Sequence, residues 1–210
     1  MVMSLKMLFG THNKSKVARI KAVVKDLPIQ IVGLQELNIV EEPEEDGMSV
    51  IDNAVKKAGF YYRIAKMPTF SIDNSLYIAN LPANAQPGLM VRRVGDKKLS
   101  DQEMIEYYSR ELEKLGGESK GKWVSGIAFV WGENLIKHYE LVEERYFVSK
   151  PSKVIKEGFP LGSLAMDLRL NKYISEMTEE ERHQSQKEAD RKLYNIFEDV
   201  MKSITVGSRG

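Results

Sequence analysis

The sequence predicts an α/β fold whose parallel beginning is extended by an antiparallel ribbon. Short apolar runs alternate with helix-period segments through residue 72, and two long strand-rich segments farther on are separated only by a short GE turn. LKMLF (5–9) reads as the first strand, GTHNKSK as a loop and KVARIKAVVKDL (16–27) as a helix, with Val17, Ile20, Val23 and Val24 at helical spacing and Pro28 behind them. IQIVGL (29–34) is the second strand, so the chain opens with a βαβ unit, which implies a right-handed crossover and a parallel pair. After the acidic linker EEPEEDG comes a helix at about 48–66, with Val50, Ala54, Lys57, Ala58 and Tyr61 along one face. MPTFSI (67–72) is a third strand that stops at Asp73.

Residues 82–98, rich in Pro, Gly and Asn, are expected to form a functional loop or hinge. Ser100 and Glu103 form a capping-box pattern for a helix that GG stops after Leu115. KWVSGIAFVW and NLIKHYELVEERYFV read as a long hairpin. A Pro- and Gly-containing segment (150–165) precedes a last helix at about 178–203 with an apolar stripe of Ala189, Leu193, Ile196, Phe197 and Val200. Residues 1–204 are expected to form one domain, and 205–210 a frayed tail.

Bulk properties narrow the function. A net charge of +1 over 210 residues argues against a broad nucleic-acid surface, so any anion site is local. With no cysteine there is no disulfide or thiolate chemistry, and His12, His138 and His183 make no zinc pattern. No apolar run approaches the roughly 20 residues that span a bilayer, and MVMSLKMLF has no signal-peptide core. The expectation is a cytoplasmic protein with no membrane partner.

Three clusters can carry chemistry. In GTHNKSK, loop amides and the positive end of a helix suit phosphate, with Thr11, Asn13, Lys14 and Lys16 as donors, although a helix cap with solvated lysines explains the same residues. The carboxylates of EEPEEDG are either a solvated first turn or ligands for Mg²⁺, which takes a few carboxylate oxygens and completes its shell with phosphate and water. Lys57 is costly to bury without an anion, yet amphipathic lysines also snorkel. Asp73 is either a turn residue or, at the carboxyl end of a strand, a group that orients water and takes its proton.

Taken together these stretches resemble the inosine triphosphate pyrophosphatase family, Mg²⁺-dependent enzymes that hydrolyse non-standard purine nucleoside triphosphates to monophosphate and pyrophosphate. FGTHNKSKVARI matches the family's opening T-x-N-x-x-K, which nominates Thr11, Asn13 and Lys16 as triphosphate contacts. EDGMSVIDNAVKKA matches E-T-G-x-T-F-x-E-N-A-x-x-K-A, implying Glu45 as a metal carboxylate and Lys57 as a phosphate contact. SIDNSLYIANL lies where the family has A-D-D-S-G-L-x-V-x-x-L; this puts Asp73 on the second aspartate, the implied general base and metal ligand, and Ile72 on the first. PGLMVRR places Arg93 on the arginine of P-G-x-x-S-A-R, Lys122 takes the place of a strand-opening arginine, and SEMTEEER puts Arg182 where the family has lysine.

The resemblance implies a mixed, twisted sheet with helices on both faces, two lobes around a nucleotide cleft, and a homodimer. It weakens where the base is read. The family's G-F-G-Y-D-P appears as GFPLGSL, with Leu161 and Gly162 in place of the aromatic and aspartate, and its S-H-R has no match in RHQSQKEADRK unless a deletion brings Ser185, Gln186 and Lys187 into register. Loss of buried donors that select a keto purine predicts altered base specificity or a nucleotide-binding regulatory homologue.

Overall fold

The fold is described by a computed structural model covering residues 4–207, with side chains through residue 204. The opening βαβ unit forms as expected: β1 (Leu5–Phe9) and β2 (Ile29–Gly33) pair in parallel around α1 (Lys14–Val23). Because Asn13 is the N-cap, its side chain accepting from the Lys16 amide, α1 starts two residues earlier than the apolar period suggests. α2 (Val50–Ala65) is capped by Ser49, and β3 (Thr69–Ile78) pairs in parallel with β1.

β3 corrects the sequence reading. The strand does not stop at Asp73 but runs through it to Ile78. Ser71, Asp73 and Ser75 are buried on one face while Phe70 and Ile72 pack into the apolar core on the other, so the polar residues are the second face of a two-sided strand.

Within the expected loop 82–98, β4 (Arg93–Val94) and β5 (Lys97–Lys98) form a two-residue antiparallel ribbon. α3 (Asp101–Lys114) has the predicted capping box and ends before Gly116 and Gly117, whose φ values of 93° and 94° favour glycine. β6 (Glu118–Gly132) and β7 (Leu135–Val148) are the expected ribbon, turning at residues 133–134. Two short strands, β8 (Ala165–Asp167) and β9 (Lys172–Tyr173), were not anticipated. α4 (Glu179–Gly207) takes in residues 205–207 of the expected tail, and 208–210 lie outside the described residues. The main sheet runs β2-β1-β3-β6-β7-β8-β9, parallel at its first strands and antiparallel at its last, which bears out the mixed α/β class.

The chain divides into two compact units. Among the described residues the first comprises 4–74, 125–141 and 188–207, the second 75–124 and 142–187. In the first, α1 and α4 cover the sheet face carrying Phe9, Phe70 and Phe129, with Phe197 edge-on to Phe70 at 5.0 Å, while Ala54 and Ala58 of α2 pack on Ala128 and Val130 of the opposite face. Each fully buried phenylalanine contributes about 2 kcal/mol by area alone. The second unit buries Leu76, Ile78, Tyr108, Leu112, Phe147 and Leu164 in a core of its own. Among the described residues no helix is long and apolar enough to cross a membrane.

Candidate active site

The site grows from the start of α2. Gly126 of β6 lets the helix in close: a Cβ there would stand 2.4 Å from the Val50 carbonyl. One turn later Asn53, only 3% exposed, reaches in two directions. Its Oδ1 accepts from the Gly47 amide at 2.8 Å, and its Nδ2 donates to Asp73 Oδ2 at 3.2 Å. Gly47 is required by this approach, since a Cβ would lie 2.5 Å from Asn53 Oδ1. Asn53 thus ties the acidic segment before α2 to the middle of β3.

Lys57, four residues on and therefore on the same helix face, joins the two carboxylates. Its Nζ lies 3.1 Å from Asp73 Oδ1 and 2.5 Å from Glu45 Oε1. Burial works against its charge, but Asp73 and then Glu45 outweigh burial and hold its pKa above the ordinary value. Lys16, from α1, is in the opposite condition. Burial first, and the Lys57 charge second, push its pKa down to about 8, with Asp73 and Glu45 only partly offsetting them. Its Nζ donates to Asn74 Oδ1 at 2.9 Å when that amide is turned to satisfy its neighbours.

The first loop is built by its own side chains. Thr11 Oγ1 accepts from the Asn13 amide at 3.2 Å, and Asn13 Oδ1 accepts from the Lys16 amide at 3.0 Å. Asn13 therefore caps α1, while Thr11 closes the turn before it. Tyr61 OH donates to the Glu41 carbonyl at 3.0 Å and steadies the acidic segment; burial, then nearby Glu42, Glu45 and Glu41, push its pKa up to about 12.

This donor set fits Mg²⁺ in a specific way. Among the described residues no three Asp, Glu, His or Cys side chains converge, so no all-protein cage exists. Glu45 and Asp73 meeting at one ammonium are the one or two carboxylates that Mg²⁺ uses when phosphate and water fill its other positions. Each Asp73 oxygen accepts one hydrogen bond from the protein and keeps a lone pair.

Glu45, Lys57, Asp73, Lys16, Thr11 and Asn13 all belong to the first unit; Arg93 and Arg182 belong to the second. Arg93 is exposed on the β4–β5 ribbon. Arg182 Nη2 donates to the Met177 carbonyl at 3.3 Å, and its buried Nε has no protein partner. Lys122 stands 5.6 Å from the Tyr77 ring centre. Leu161 is buried in the core, and Ser185 Oγ donates to Asp167 Oδ2 at 2.6 Å. Ile72 faces the apolar core, so an acid at that position would not sit beside Asp73 on the α2 side. Sequence reasoning did not nominate Asn53 or Asn74. The Gly47–Asn53 spacing was the available signal for the first, and no local pattern marks the second.

A dITP/XTP pyrophosphatase of Mannheimia succiniciproducens is 28% identical over 165 residues, 77% of this chain and 74% of that protein. A dITP/XTP pyrophosphatase of Bacillus subtilis is 25% identical over 201 residues, 94% of this chain and all of that protein. The solved structure of a HAM1 protein from Coxiella burnetii, 24% identical, superposes with a TM-score of 0.75 over 93% of this chain and 99% of that one, so the fold is shared. The sequence profile of the Ham1 family matches residues 7–193, which bears out the resemblance read from the motifs: the chain belongs to the Ham1 family.

Proposed function

We propose that this protein hydrolyses nucleoside triphosphates to the monophosphate and pyrophosphate with Mg²⁺, acting on non-standard purines such as ITP and XTP or with an altered base preference. The observation that carries the reading is the single ammonium of Lys57 between Glu45 and Asp73, in a chain whose relatives bear the name dITP/XTP pyrophosphatase. Glu45 and Asp73 are the residues that would hold the metal, which when bound supplies charge for the phosphate oxygens and lowers the pKa of a water. Asp73 is the general base: its carboxylate takes the proton of the attacking water, and Asn53 and Lys57 fix its two oxygens in position for that transfer. The products place the cleaved bond between the α and β phosphates. Lys57 and Lys16 offset the negative charge that develops there, and the positive end of α1, capped by Asn13, adds to the cradle.

Arg93 and Arg182 are assigned to the nucleotide as well, on the strength of their motif positions. The altered base motifs GFPLGSL and RHQSQK support a changed preference. A cytoplasmic homodimer without nucleic-acid or membrane partners completes the reading, and light scattering of the purified chain checks its dimeric mass.

The decisive experiment is a panel of nucleoside triphosphates with Mg²⁺, followed by pyrophosphate release, for wild type and Asp73→Asn. Turnover by wild type alone is the expected result. Binding without turnover of any nucleotide would replace the enzyme with a nucleotide-binding regulatory protein. Strong preference for ITP and XTP over ATP and GTP would remove the altered base preference.

A further inference from the structure

We propose that Asn74 is a positioning residue that aims the Lys16 ammonium at the triphosphate, an inference that rests on the pyrophosphatase reading above. Asn74 follows Asp73 on β3, and strand alternation turns its side chain away from α2, toward Lys16 of α1. Its Oδ1 accepts from Lys16 Nζ at 2.9 Å, while its Nδ2 donates to Ser125 Oγ at 2.9 Å and to the Asp73 carbonyl at 3.0 Å. The two donated bonds fix the amide plane, and the fixed oxygen removes rotamer freedom from a long lysine side chain. Ser125 is itself buried on β6, so the anchor rests on two neighbouring strands of the sheet.

The chemistry of the partner matters as much as its position. Lys57 is met by two carboxylates and gives up much of its field to them. Lys16 is held by a neutral carbonyl oxygen, which orients the ammonium and leaves its full charge for an incoming anion. Burial first and Lys57 second penalise its charge, and Asp73 and Glu45 offset them only in part, so a polyphosphate gives the ammonium a close counter-charge without displacing a direct ion pair. Asn74 therefore couples the strand that carries the general base to the first turn of α1.

The test is calorimetric titration of inorganic tripolyphosphate into the full chain, for wild type, Asn74→Ala, Lys16→Ala and the double variant. Each single substitution is expected to weaken binding about tenfold, the size of a lost hydrogen bond to a charged group. The double variant is expected to bind no more weakly than Lys16→Ala. An additional loss of similar size on adding Asn74→Ala to Lys16→Ala would show that Asn74 acts through the fold, overturning the proposal alone. Unchanged binding by Lys16→Ala would overturn the phosphate role of that lysine and the proposal with it. If Asn74→Ala does not fold, Ser125→Ala decides: loosening the anchor is expected to weaken binding about threefold, and wild-type affinity overturns the anchoring.

Discussion

Two regions of the chain treat their charged groups differently. Around Asp73, partners come from far away in sequence: Asn53 and Lys57 from α2, Glu45 from the segment before it, and Lys16 at one remove through Asn74. Between residues 167 and 182 several polar groups close over shorter spans. Asp167 takes the Arg169 guanidinium and amide, Lys172 pairs with Glu181, and Arg182 reaches the Met177 carbonyl. Groups gathered from several elements are fixed by the whole unit, so their geometry exists before a ligand arrives, as electrostatic catalysis requires. Groups that satisfy near neighbours in the chain have that capacity committed locally.

The strongest way to break this contrast is Asp73→Asn. It keeps the shape and, with its one carbonyl oxygen toward Asn53, that contact, while removing the proton acceptor, the charge facing Lys57 and one metal carboxylate, so kcat for pyrophosphate release should fall by about 10³-fold while nucleotide binding persists. A fall of less than tenfold would separate the convergent centre from the chemistry. Next in size is Asn53→Ala, which strips Asp73 Oδ2 and the Gly47 amide of their shared partner at a site 3% exposed. Urea unfolding should register a loss of about 2–3 kcal/mol. A loss below about 0.5 kcal/mol would mean that the acidic segment is held by something other than Asn53.

Much of this centre was legible in the sequence, for identifiable reasons. Lys57 falls on the apolar face of its helix by spacing alone, whereas the close approach of Gly47 to Asn53 appears only once the helix is folded. Asp73 was legible as a candidate but misplaced at a strand end. A polar residue between apolar runs reads as a break, and only the facing helix shows that Asp73 is paired within a continuous strand. Asn74 was illegible because its three partners lie on three different segments, which no local pattern joins. The brief strands β8 and β9 escaped because two or three residues carry no period, and their pairing with β7 is a tertiary fact.

A finer test uses protons. The Lys16 pKa is lowered from 10.5 to about 8 in the folded chain, so between those values the unfolded chain binds more protons there and stability rises with pH. A triphosphate favours the charged ammonium and reverses that shift. Tripolyphosphate binding at about pH 8.5 should therefore take up a proton, and affinity should fall as pH climbs above about 8, by at most tenfold per unit. Calorimetry in two buffers of different ionisation enthalpy measures the uptake, which should vanish in Lys16→Ala. Uptake that survives that substitution would assign the titration to another group.

The smallest effect belongs to Ser185, in the second unit. Its one hydroxyl proton is donated to Asp167 Oδ2 at 2.6 Å, leaving it no donor for the keto oxygen of a purine. Asp167 does not depend on it alone: the Arg169 side chain is the main cause that holds the Asp167 carboxyl well below the usual carboxylate range, and the Arg169 amide adds to it. Ser185→Ala should therefore cost about 1 kcal/mol of stability. The ratio of kcat/KM for ITP to that for GTP should change by less than about twofold, because a committed donor contributes little to discrimination. A change of about tenfold or more would show that the hydroxyl leaves Asp167 when the nucleotide binds, and that the second region reads the base after all.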